Sequence, residues 1–450
     1  MHEFTPDVEA LAHEVLAYSL ERMRSNPPLD YPKSHDELYA LAGETITPDG
    51  LGGSEALKLF TDILAPACIS TDHPSYLAFI PSAPSEHANL FDLVVGASAL
   101  YGGSWQEGAG AVYAENQALR WLADLAGLPK SSGGVFVQGG TLGNLSALVA
   151  ARVAARKKFP GVTRWVVAAS KESHSSIVSA AEVMDIDVLL IPTGEDLVLR
   201  GDAAALAIDE YEKVHSGSKV FALVATAGTT NLGIIDDLAS IAPVAKAREL
   251  WFHIDGAYGI AALCAPSVRH LFNGIEECDS FIVDPHKWLF APYDACALIY
   301  RNPAQGKEAH TQHASYLDTL EDPNEWNPSD YAIHLTRRPR GLPFWYSLAA
   351  NGVNEYVASV EATMTLAKEA AELIRNHPNL ELLREPTLSV VAFTRKGWGA
   401  EDYQEWSDKL LEDQIGFVTP SAHAGQPILR FAIVNPWTKT SDLAAILATL

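Results

Sequence analysis

Lys287 stands directly after an apolar run, in the segment Ser280-Phe-Ile-Val-Asp-Pro-His-Lys-Trp-Leu-Phe290. Open α/β sheets bind their ligands at the carboxyl ends of the strands, which is where this lysine would lie. Partial burial lowers the pKa of a lysine, so that its amine can attack a carbonyl compound and form an imine. The alternative is a solvated loop lysine, which any single lysine usually is.

Asp255 ends a second apolar run, Trp251-Phe-His-Ile-Asp-Gly-Ala-Tyr258, and lies 32 residues before Lys287. Pyridoxal phosphate chemistry needs both groups: a lysine for the imine, and an acid that keeps the pyridine nitrogen protonated. The small residues Gly256 and Ala257 would let a flat ring lie against the strand end. Alternatively, Asp255 could be the N-cap of a following helix.

Two further segments carry polar groups that a phosphate and a flat ring would need. Gly133-Gly-Val-Phe-Val-Gln-Gly-Gly-Thr-Leu-Gly-Asn144 predicts a strand, a glycine-rich turn and a helix whose first N–H groups favour an anion. It matches neither GxGxxG nor a Walker motif, so a generic βα turn is its alternative. His174 follows a predicted strand and could stack on a ring, although a surface or capping histidine is the other interpretation. Ala225-Thr-Ala-Gly-Thr-Thr-Asn231 is a polar strand end that would face the same crevice.

The elements that must position these residues alternate between short apolar strands and helices. The predicted strands are Gly134–Gln138, Arg164–Ala169, Asp187–Ile191, Val220–Ala225, Trp251–Ile254, Ser280–Val283 and Ala295–Tyr300. The predicted helices between them are Asn144–Lys157, His174–Met184, Asp202–Val214 and Leu238–Glu249. Near-continuous Val, Ile, Leu and Ala strands with helical crossovers predict a buried, largely parallel sheet in an α/β doubly wound domain.

This domain is expected to span 69–342, with a shorter segment on each side. Residues 1–68 contain two predicted helices, 7–24 and Ser54–Leu64, and are too few to bury a core alone, so they should pack on the main body or a second subunit. Residues 343–450 predict a small α+β domain. Its predicted elements are a long helix from Leu342 to about Asn376, strands Leu388–Thr394 and Ile428–Val434, and a helix Tyr403–Asp413 between them. Residues 301–342 lack periodicity, and 301–335 are expected to form a mobile loop over the site.

The composition excludes several classes of partner. Acidic residues outnumber basic ones, 56 against 32, which gives a formal net charge of −24 and makes nucleic acid and anionic membranes poor partners. The four cysteines form no CxxC pair, and neither a disulfide framework nor a metal site is expected. No signal peptide or transmembrane stretch is recognised, so we expect a cytoplasmic protein.

The motifs resemble those of the pyridoxal-phosphate-dependent group II amino acid decarboxylases, the family of aromatic-L-amino-acid, tyrosine, histidine and glutamate decarboxylases. Order and spacing agree from about residue 70 to 350, and the C-terminal third matches only through Leu429-Arg-Phe-Ala-Ile433. The matching stretches are His73-Pro74, Gly139-Gly-Thr with Asn144, His174-Ser-Ser, Ala225–Thr230, His253–Tyr258, Arg269–Gly274, Asp284-Pro-His-Lys-Trp288, and Arg337-Arg-Pro-Arg340 with Trp345.

The resemblance implies a fold-type I enzyme that is a homodimer, with active sites at the subunit interface and exchanged N-terminal helices. It also implies roles toward pyridoxal 5′-phosphate for nine residues. These are Lys287 as the imine lysine, Asp255 on the pyridine nitrogen, Ala257 beneath the ring and His174 above it, Gly140, Thr141 and Asn144 at the phosphate, His286 beside the phosphate or the substrate, and Thr230 near the cofactor.

The resemblance extends to the substrate side of the site. Phe79, Ile80, Tyr101 and Trp105 make a mostly apolar wall plausible. Ser82 stands where relatives often have threonine near the substrate, and His286 could also touch the substrate. A tyrosine of the loop is expected to return a proton to Cα. Tyr331 is the best match, with Tyr316 and His334 as alternatives.

The expected reaction is α-decarboxylation of an L-amino acid, aromatic or large and apolar, to the amine and CO₂. An aldehyde synthase on the same scaffold is one alternative, although a tyrosine at the position of Tyr331 would argue against it. A glutamate-type decarboxylase, an aminotransferase chemistry and an inactive scaffold are further alternatives.

Overall fold

The structure is a computed structural model that describes residues 2–313 and 325–450. Within these ranges the helices are α1 (Pro6–Arg24), α2 (His35–Ala42), α3 (Gly53–Leu59), α4 (Glu86–Ala97), α5 (Trp105–Leu125), α6 (Gly140–Lys158), α7 (Ser176–Met184), α8 (Gly201–Val214), α9 (Leu238–Ala247), α10 (Pro303–His310), α11 (Leu342–Asn351), α12 (Val353–Asn376), α13 (Ala400–Glu412) and α14 (Thr440–Leu447). The strands are β1 (Gly133–Val137), β2 (Arg164–Ser170), β3 (Asp187–Ile191), β4 (Ser218–Thr226), β5 (Trp251–Asp255), β6 (Ser280–Val283), β7 (Cys296–Tyr300), β8 (Leu380–Leu382), β9 (Val390–Arg395), β10 (Ser421–His423) and β11 (Gln426–Ala432).

The large domain is built on a seven-stranded sheet in the order β1-β7-β6-β5-β4-β2-β3. The five neighbouring strands β6, β5, β4, β2 and β3 pair in parallel. Strand β7 runs antiparallel to both of its neighbours, β1 and β6. Every residue of β5, β6 and β7 is buried, as the continuous apolar runs predict. The predicted fold class, a mostly parallel mixed sheet in an α/β domain, is confirmed.

Helices cover both faces of this sheet. One apolar cluster joins the sheet to α5, α8 and α9, and a second joins it to α6 and α7 on the opposite face. Because each parallel crossover must return over one face, the carboxyl ends of β4, β5 and β6 meet at one edge of the sheet. The candidate chemistry lies at that edge.

The C-terminal part forms a smaller antiparallel sheet, in the order β10-β11-β9-β8. Helices α12, α13 and α14 pack with it in an apolar cluster. The segment around Leu77 also joins this unit, because Leu77 donates its N–H to Phe417 and accepts the N–H of Ala432, both at 2.9 Å. The predicted α+β character of this part is therefore found, with a contribution from residues far earlier in the chain.

Several helices of the structure differ from the sequence prediction. The single helix predicted from Leu342 to about Asn376 is broken at Gly352 into α11 and α12. The φ of Gly352 is 77°, a backbone conformation that glycine adopts readily and that ends α11. Within the segment 301–342, Pro303–His310 is helical, since Asn302 caps the first turn and Pro303 occupies a position that needs no N–H donor. Helices α2, α4 and α5 were not predicted. The expected loop 301–335 falls partly on 314–324, outside the described residues.

The N-terminal segment contains the two predicted helices. The first is α1, and the second is α3 continued by a π-helical turn over Phe60–Leu64. Neither α1, α2 nor α3 contains a buried residue. The segment is tied to the rest of the chain by an ion pair of 2.8 Å between Arg22 and Asp72.

Candidate active site

One cavity of about 300 Å³ lies at the carboxyl ends of β4, β5 and β6. It is lined by every residue for which the sequence predicts a role toward a cofactor: Gly140, Thr141, Asn144, His174, Thr230, Asp255, Ala257, His286 and Lys287. Residues that the sequence analysis did not single out also line it, and these are Gln138, Gly139, Ser176, Thr226, Gly228, Tyr258, Asp284, Tyr293 and Asp294. The α/β fold therefore brings five separated motifs into one space.

The Lys287 side chain turns back toward its own strand end. Its Nζ lies 2.9 Å from an oxygen of Asp284, a fully enclosed carboxylate three residues earlier. Burial alone would lower the pKa of Lys287, but the charges of Asp284 and Asp255 outweigh it and hold the pKa above its usual value. The prediction of a lowered pKa for Lys287 is therefore wrong in the cofactor-free protein. That prediction considered burial alone and not the charge of Asp284.

Asp255 points into the cavity from the last position of β5 and is almost fully buried. One carboxylate oxygen accepts the N–H of Ala257 at 3.2 Å, and the other accepts Nδ2 of Asn144 at 2.9 Å. Asp255 is therefore not the N-cap of a following helix, because the chain continues from Asp255 into a turn. The second contact of its carboxylate comes from Asn144 on α6. Asp255 is held as an acceptor whose remaining lone pairs face the cavity.

Asn144 lines the cavity, but its side chain contacts other groups than the phosphate that the resemblance implies. Its amide bonds Asp255, Ser176 and His253, each at 2.9 Å, and the residue is 1% exposed. All the polar atoms of the amide are therefore occupied by protein groups. The expectation that Asn144 holds a phosphate is corrected by these contacts, which place its side chain behind Asp255.

The glycine-rich turn leads into α6 one residue after Gly139. No side chain caps this helix, so the first N–H groups, beginning at Gly140 and Thr141, are left for another acceptor. A side chain at Gly140 would lie about 3.2 Å from Asp284 and 3.3 Å from Ala257, so glycine keeps this corner of the cavity open. An uncapped helix N-terminus with space beside it suits an anion.

Two histidines line the cavity with Lys287. His174 follows β2, and its Nδ1 lies 3.2 Å from the N–H and 2.8 Å from the Oγ of Ser176. His286 lies 2.8 Å from the carbonyl oxygen of Ala295 through Nδ1, and burial lowers its pKa although Asp284 acts in the opposite direction. At neutral pH, His286 is therefore a neutral group.

Tyr331 does not reach the cavity. Its side chain is 5% exposed, stacks on Trp326 at a ring distance of 4.2 Å and belongs to the apolar cluster beneath the sheet. Burial raises the pKa of its phenol, which makes it a weaker acid. The prediction that Tyr331 is the proton donor is contradicted by this placement. His334 is mostly enclosed, with a pKa lowered to about 4 by burial and by neighbouring arginines, and Tyr316 lies outside the described residues.

Three predicted substrate residues also lie outside this cavity. Phe79 is 56% exposed and has a left-handed backbone with φ of 52°, which Arg430 holds by a 2.7 Å bond to its carbonyl oxygen. Tyr101 donates its hydroxyl to the carbonyl oxygen of Leu335 at 3.1 Å. Ser82 lines a neighbouring cavity of about 630 Å³ beside the N-terminal segment. Within this chain, Phe79, Ser82 and Tyr101 therefore do not line the cavity that contains Lys287.

Two residues missed by sequence reasoning shape the site. Asp284 was quoted only as part of a motif, although its position three residues before Lys287 allows a contact across one turn. Tyr293 borders both cavities and lies 5.0 Å, ring to ring, from His286. No pattern in the sequence marks Tyr293, because its place depends on the turn between β6 and β7.

The fold and the cavity together define an α/β enzyme in which a lysine, buried carboxylates and the uncapped start of a helix line one cavity. A sequence profile described as "Pyridoxal-dependent decarboxylase conserved domain" matches residues 54–396. Because this match covers most of the chain, the protein belongs to the pyridoxal-dependent decarboxylase family, and the resemblance predicted from its motifs is confirmed.

Individual relatives agree along nearly the whole chain. An aromatic-L-amino-acid decarboxylase of Bacillus atrophaeus is 28% identical, over 98% of this chain and 94% of that protein. The enzyme of the same name from Cavia porcellus is 31% identical, over 74% of each chain. The crystal structure of Oryza sativa TDC with PLP and tryptamine superposes with a TM-score of 0.90 and 26% identity, covering 99% of both chains.

Pyridoxal phosphate is the cofactor of this family, and the cavity fits it. Lys287 offers an amine, Asp255 a carboxylate acceptor, and the start of α6 an anion site within the same 300 Å³. The Oγ of Thr226 lines the cavity and is a buried hydroxyl with no hydrogen-bond partner among the described residues, so a bound group can satisfy it.

Within residues 2–313 and 325–450, no helix combines the length and apolar character that a transmembrane span requires.

Proposed function

We propose that this protein decarboxylates an L-amino acid at Cα, giving the amine and CO₂, with Lys287 as the imine lysine. The observation that carries the proposal is the shared cavity, which Lys287, Asp255 and the uncapped start of α6 line together. Bound pyridoxal phosphate supplies a protonated ring that takes up the electrons of the bond broken at Cα.

The side chains around the cavity divide this work. Asp255 would accept a hydrogen bond from the ring nitrogen and keep it protonated, and Ala257 and His174 would contact the ring. The N–H groups of Gly140 and Thr141 would bind the phosphate, with Thr230 near the cofactor and His286 beside the phosphate or the substrate. These assignments are supported by the common cavity and by the matching motifs.

The substrate class that we propose is an aromatic or large apolar amino acid. Relatives named aromatic-L-amino-acid decarboxylase and tryptophan decarboxylase support it. In the part of the chain that the structure describes, the lining of the cavity contains no arginine to bind a distal carboxylate, and Asp284 and Asp294 would repel one. This disfavours a glutamate-type substrate.

Replacing Lys287 by alanine tests the proposal directly. The variant should lose turnover and should no longer retain cofactor covalently after borohydride reduction, because Lys287 is the lysine that lines the cavity. Lys409→Ala, on the exposed face of α13, is the matched control and should behave as the wild type. Mass spectrometry of products from each of the common amino acids then identifies the substrate. Retention of reduced cofactor by Lys287→Ala would refute the assignment.

A second candidate is an aldehyde synthase, which consumes oxygen and releases aldehyde, ammonia and peroxide. A relative named 3,4-dihydroxyphenylacetaldehyde synthase, from Aedes aegypti, is 28% identical over 90% of this chain. Since Tyr331 lies away from the cavity, it no longer argues against this outcome. Measurement of oxygen consumption beside amine yield distinguishes the two activities.

We further propose a homodimer located in the cytoplasm. The exposed apolar residues of the N-terminal segment support a partner subunit, and Phe4, Val15, Leu16 and Tyr39 are among them. Four free cysteines, three of them buried, support a reducing compartment.

A further inference from the structure

Behind Asp255 lies a chain of buried polar side chains that the roles given above do not use. Asn144 joins Asp255 to His253, with each contact at 2.9 Å, and His253 lies 2.8 Å from the Oγ of Ser280. Trp251 donates its indole N–H to that same oxygen, also at 2.8 Å. All of these residues are 5% exposed or less, so water does not replace their partners.

The carboxylate of Asp255 fixes the direction of every bond in this chain. Only the amide nitrogen of Asn144 can face a carboxylate oxygen at 2.9 Å, so its carbonyl oxygen must face His253. His253 is neutral at physiological pH, because burial lowers its pKa to about 4. Its Nε2 therefore carries the hydrogen, and its Nδ1 accepts the hydroxyl of Ser280.

Asn144 also connects Asp255 to the histidine on the other side of the cavity. Its second amide hydrogen points to Ser176 Oγ at 2.9 Å. The N–H of Ser176 donates to Nδ1 of His174, so this nitrogen is an acceptor and receives the Ser176 hydroxyl as well. The hydrogen of a neutral His174 is thereby placed on Nε2, the nitrogen left for the cavity.

We propose that Asn144 is a positioning residue, which holds Asp255 toward the cofactor ring and, by donating to the Ser176 hydroxyl, directs that hydroxyl to Nδ1 of His174. This inference rests on the proposed function, because that function assigns Asp255 to the ring nitrogen and His174 to the ring face. The alternative is a purely structural role, in which the amide only satisfies buried partners.

Two variants of Asn144 separate these roles. Asn144→Ala removes the donor to Asp255, and Asn144→Asp places a second carboxyl group against it, so that the pair must share a proton. The matched control is Asn435→Ala. Asn435 is 2% exposed and fully bonded, to Asp72 and Trp437, but lies outside the cavity.

The first measurement adds pyridoxal phosphate to the cofactor-free variants and follows the visible absorbance as a function of pH. Both Asn144 variants should change this pH dependence in the same direction as Asp255→Asn, and Asn435→Ala should leave it as in the wild type. With substrate, kcat should fall about 10- to 100-fold, the scale of one hydrogen bond to a charged group, with a much smaller change in KM.

The second measurement uses ¹⁵N spectra of the histidines in the cofactor-free protein. The wild type should show His253 and His174 protonated at Nε2, and Asn144→Ala should shift the His253 signals. Ser176→Ala should shift the Nδ1 signal of His174, since the side-chain donor to that nitrogen is lost.

Wild-type absorbance and ¹⁵N signals in Asn144→Ala would overturn the inference, as would a rate loss matched by Asn435→Ala. If the Asn144 variants do not fold, Ser176→Ala decides, and an unchanged His174 signal overturns the link between the two sides of the site. A wild type that binds the cofactor but decarboxylates no amino acid would refute the proposed function alone, because both spectroscopic measurements would still test Asn144.

Discussion

At the scale of single residues, the contact between Asp284 and Lys287 decides the state of the amine. A buried lysine alone would tend to lose its proton, whereas a carboxylate at 2.9 Å favours the ammonium form. The sequence shows both residues three positions apart but not the rotamers that bring them together. For the same reason, the motifs identified the residues of the cavity and could not show that Asn144 contacts Asp255.

The effect of Asp284 can be measured in the cofactor-free protein. Asp284→Asn removes the charge that raises the pKa of Lys287, so the pKa should fall and more free amine should be present at neutral and mildly alkaline pH. An opposite charge at this range typically shifts a pKa by about 1–3 units, which predicts at least about tenfold faster labelling of Lys287 by a small amine reagent. Labelling sites are quantified by peptide mass spectrometry, with Lys409 as the internal reference. Equal labelling rates in the two proteins would contradict the role of Asp284.

Tyr331→Phe tests the position of a single hydroxyl. Because this ring is buried against Trp326, the variant should retain the wild-type ratio of amine to CO₂, in air and without oxygen. Loss of a general acid would instead lower amine formation by about 10²–10⁴-fold. Tyr403→Phe, a buried tyrosine of α13 whose hydroxyl accepts the N–H of Arg395, is the matched control for small losses of stability. A selective fall in amine yield would return Tyr331 to the catalytic site.

At the scale of elements, a buried ion pair holds the large domain together near the site. Arg337 bonds both oxygens of Glu115 on α5, at 2.7 and 2.8 Å, and also the carbonyl oxygens of Gly102 and Phe136. Glu115 in turn accepts the N–H of Gly341 at 2.8 Å, just before α11 begins. One arginine thus connects α5, β1 and the start of α11.

Adjacent arginines provide a matched pair for testing this connection. Arg337→Ala leaves Glu115 buried without its cation and should cost about 3–5 kcal/mol of the free energy of unfolding. Arg338→Ala removes an exposed pair with Asp92 and should cost less than about 1 kcal/mol. Urea unfolding of both variants, followed by circular dichroism, gives the comparison. Similar losses would show that the Glu115 pair adds little to stability.

The strands and helices also show which parts of the fold the sequence could predict and which it could not. Hydrophobic pattern was enough for several strands of the large sheet, and the predicted Asp187–Ile191 and Ser280–Val283 have the observed bounds. The break at Gly352 was missed because one glycine within a long apolar period does not always end a helix. The role of Arg337 was hidden, since its partner lies 222 residues away in the chain.

At the scale of the whole molecule, a net charge of −24 surrounds a site that would bind an anionic cofactor. Global repulsion is screened within about 10 Å at moderate ionic strength, whereas the N–H groups at the start of α6 act at hydrogen-bond distance. Local backbone geometry therefore outweighs overall charge for binding. The N-terminal segment differs from the rest of the surface because apolar side chains of this segment are exposed to solvent, and the net charge does not account for their exposure.

The exposed residues of α1 give a test of the proposed dimer. Val15 and Leu16 are 39% and 44% exposed, and burying them against a second subunit would remove apolar surface from water. Replacing both by glutamate should shift the protein from the mass of two chains to that of one, as measured by sedimentation equilibrium. Val214→Glu, at a position 75% exposed at the end of α8, is the matched control and should leave the dimer intact. A dimer that persists in the α1 variant would place the interface elsewhere, and a monomeric wild type would refute the dimer itself.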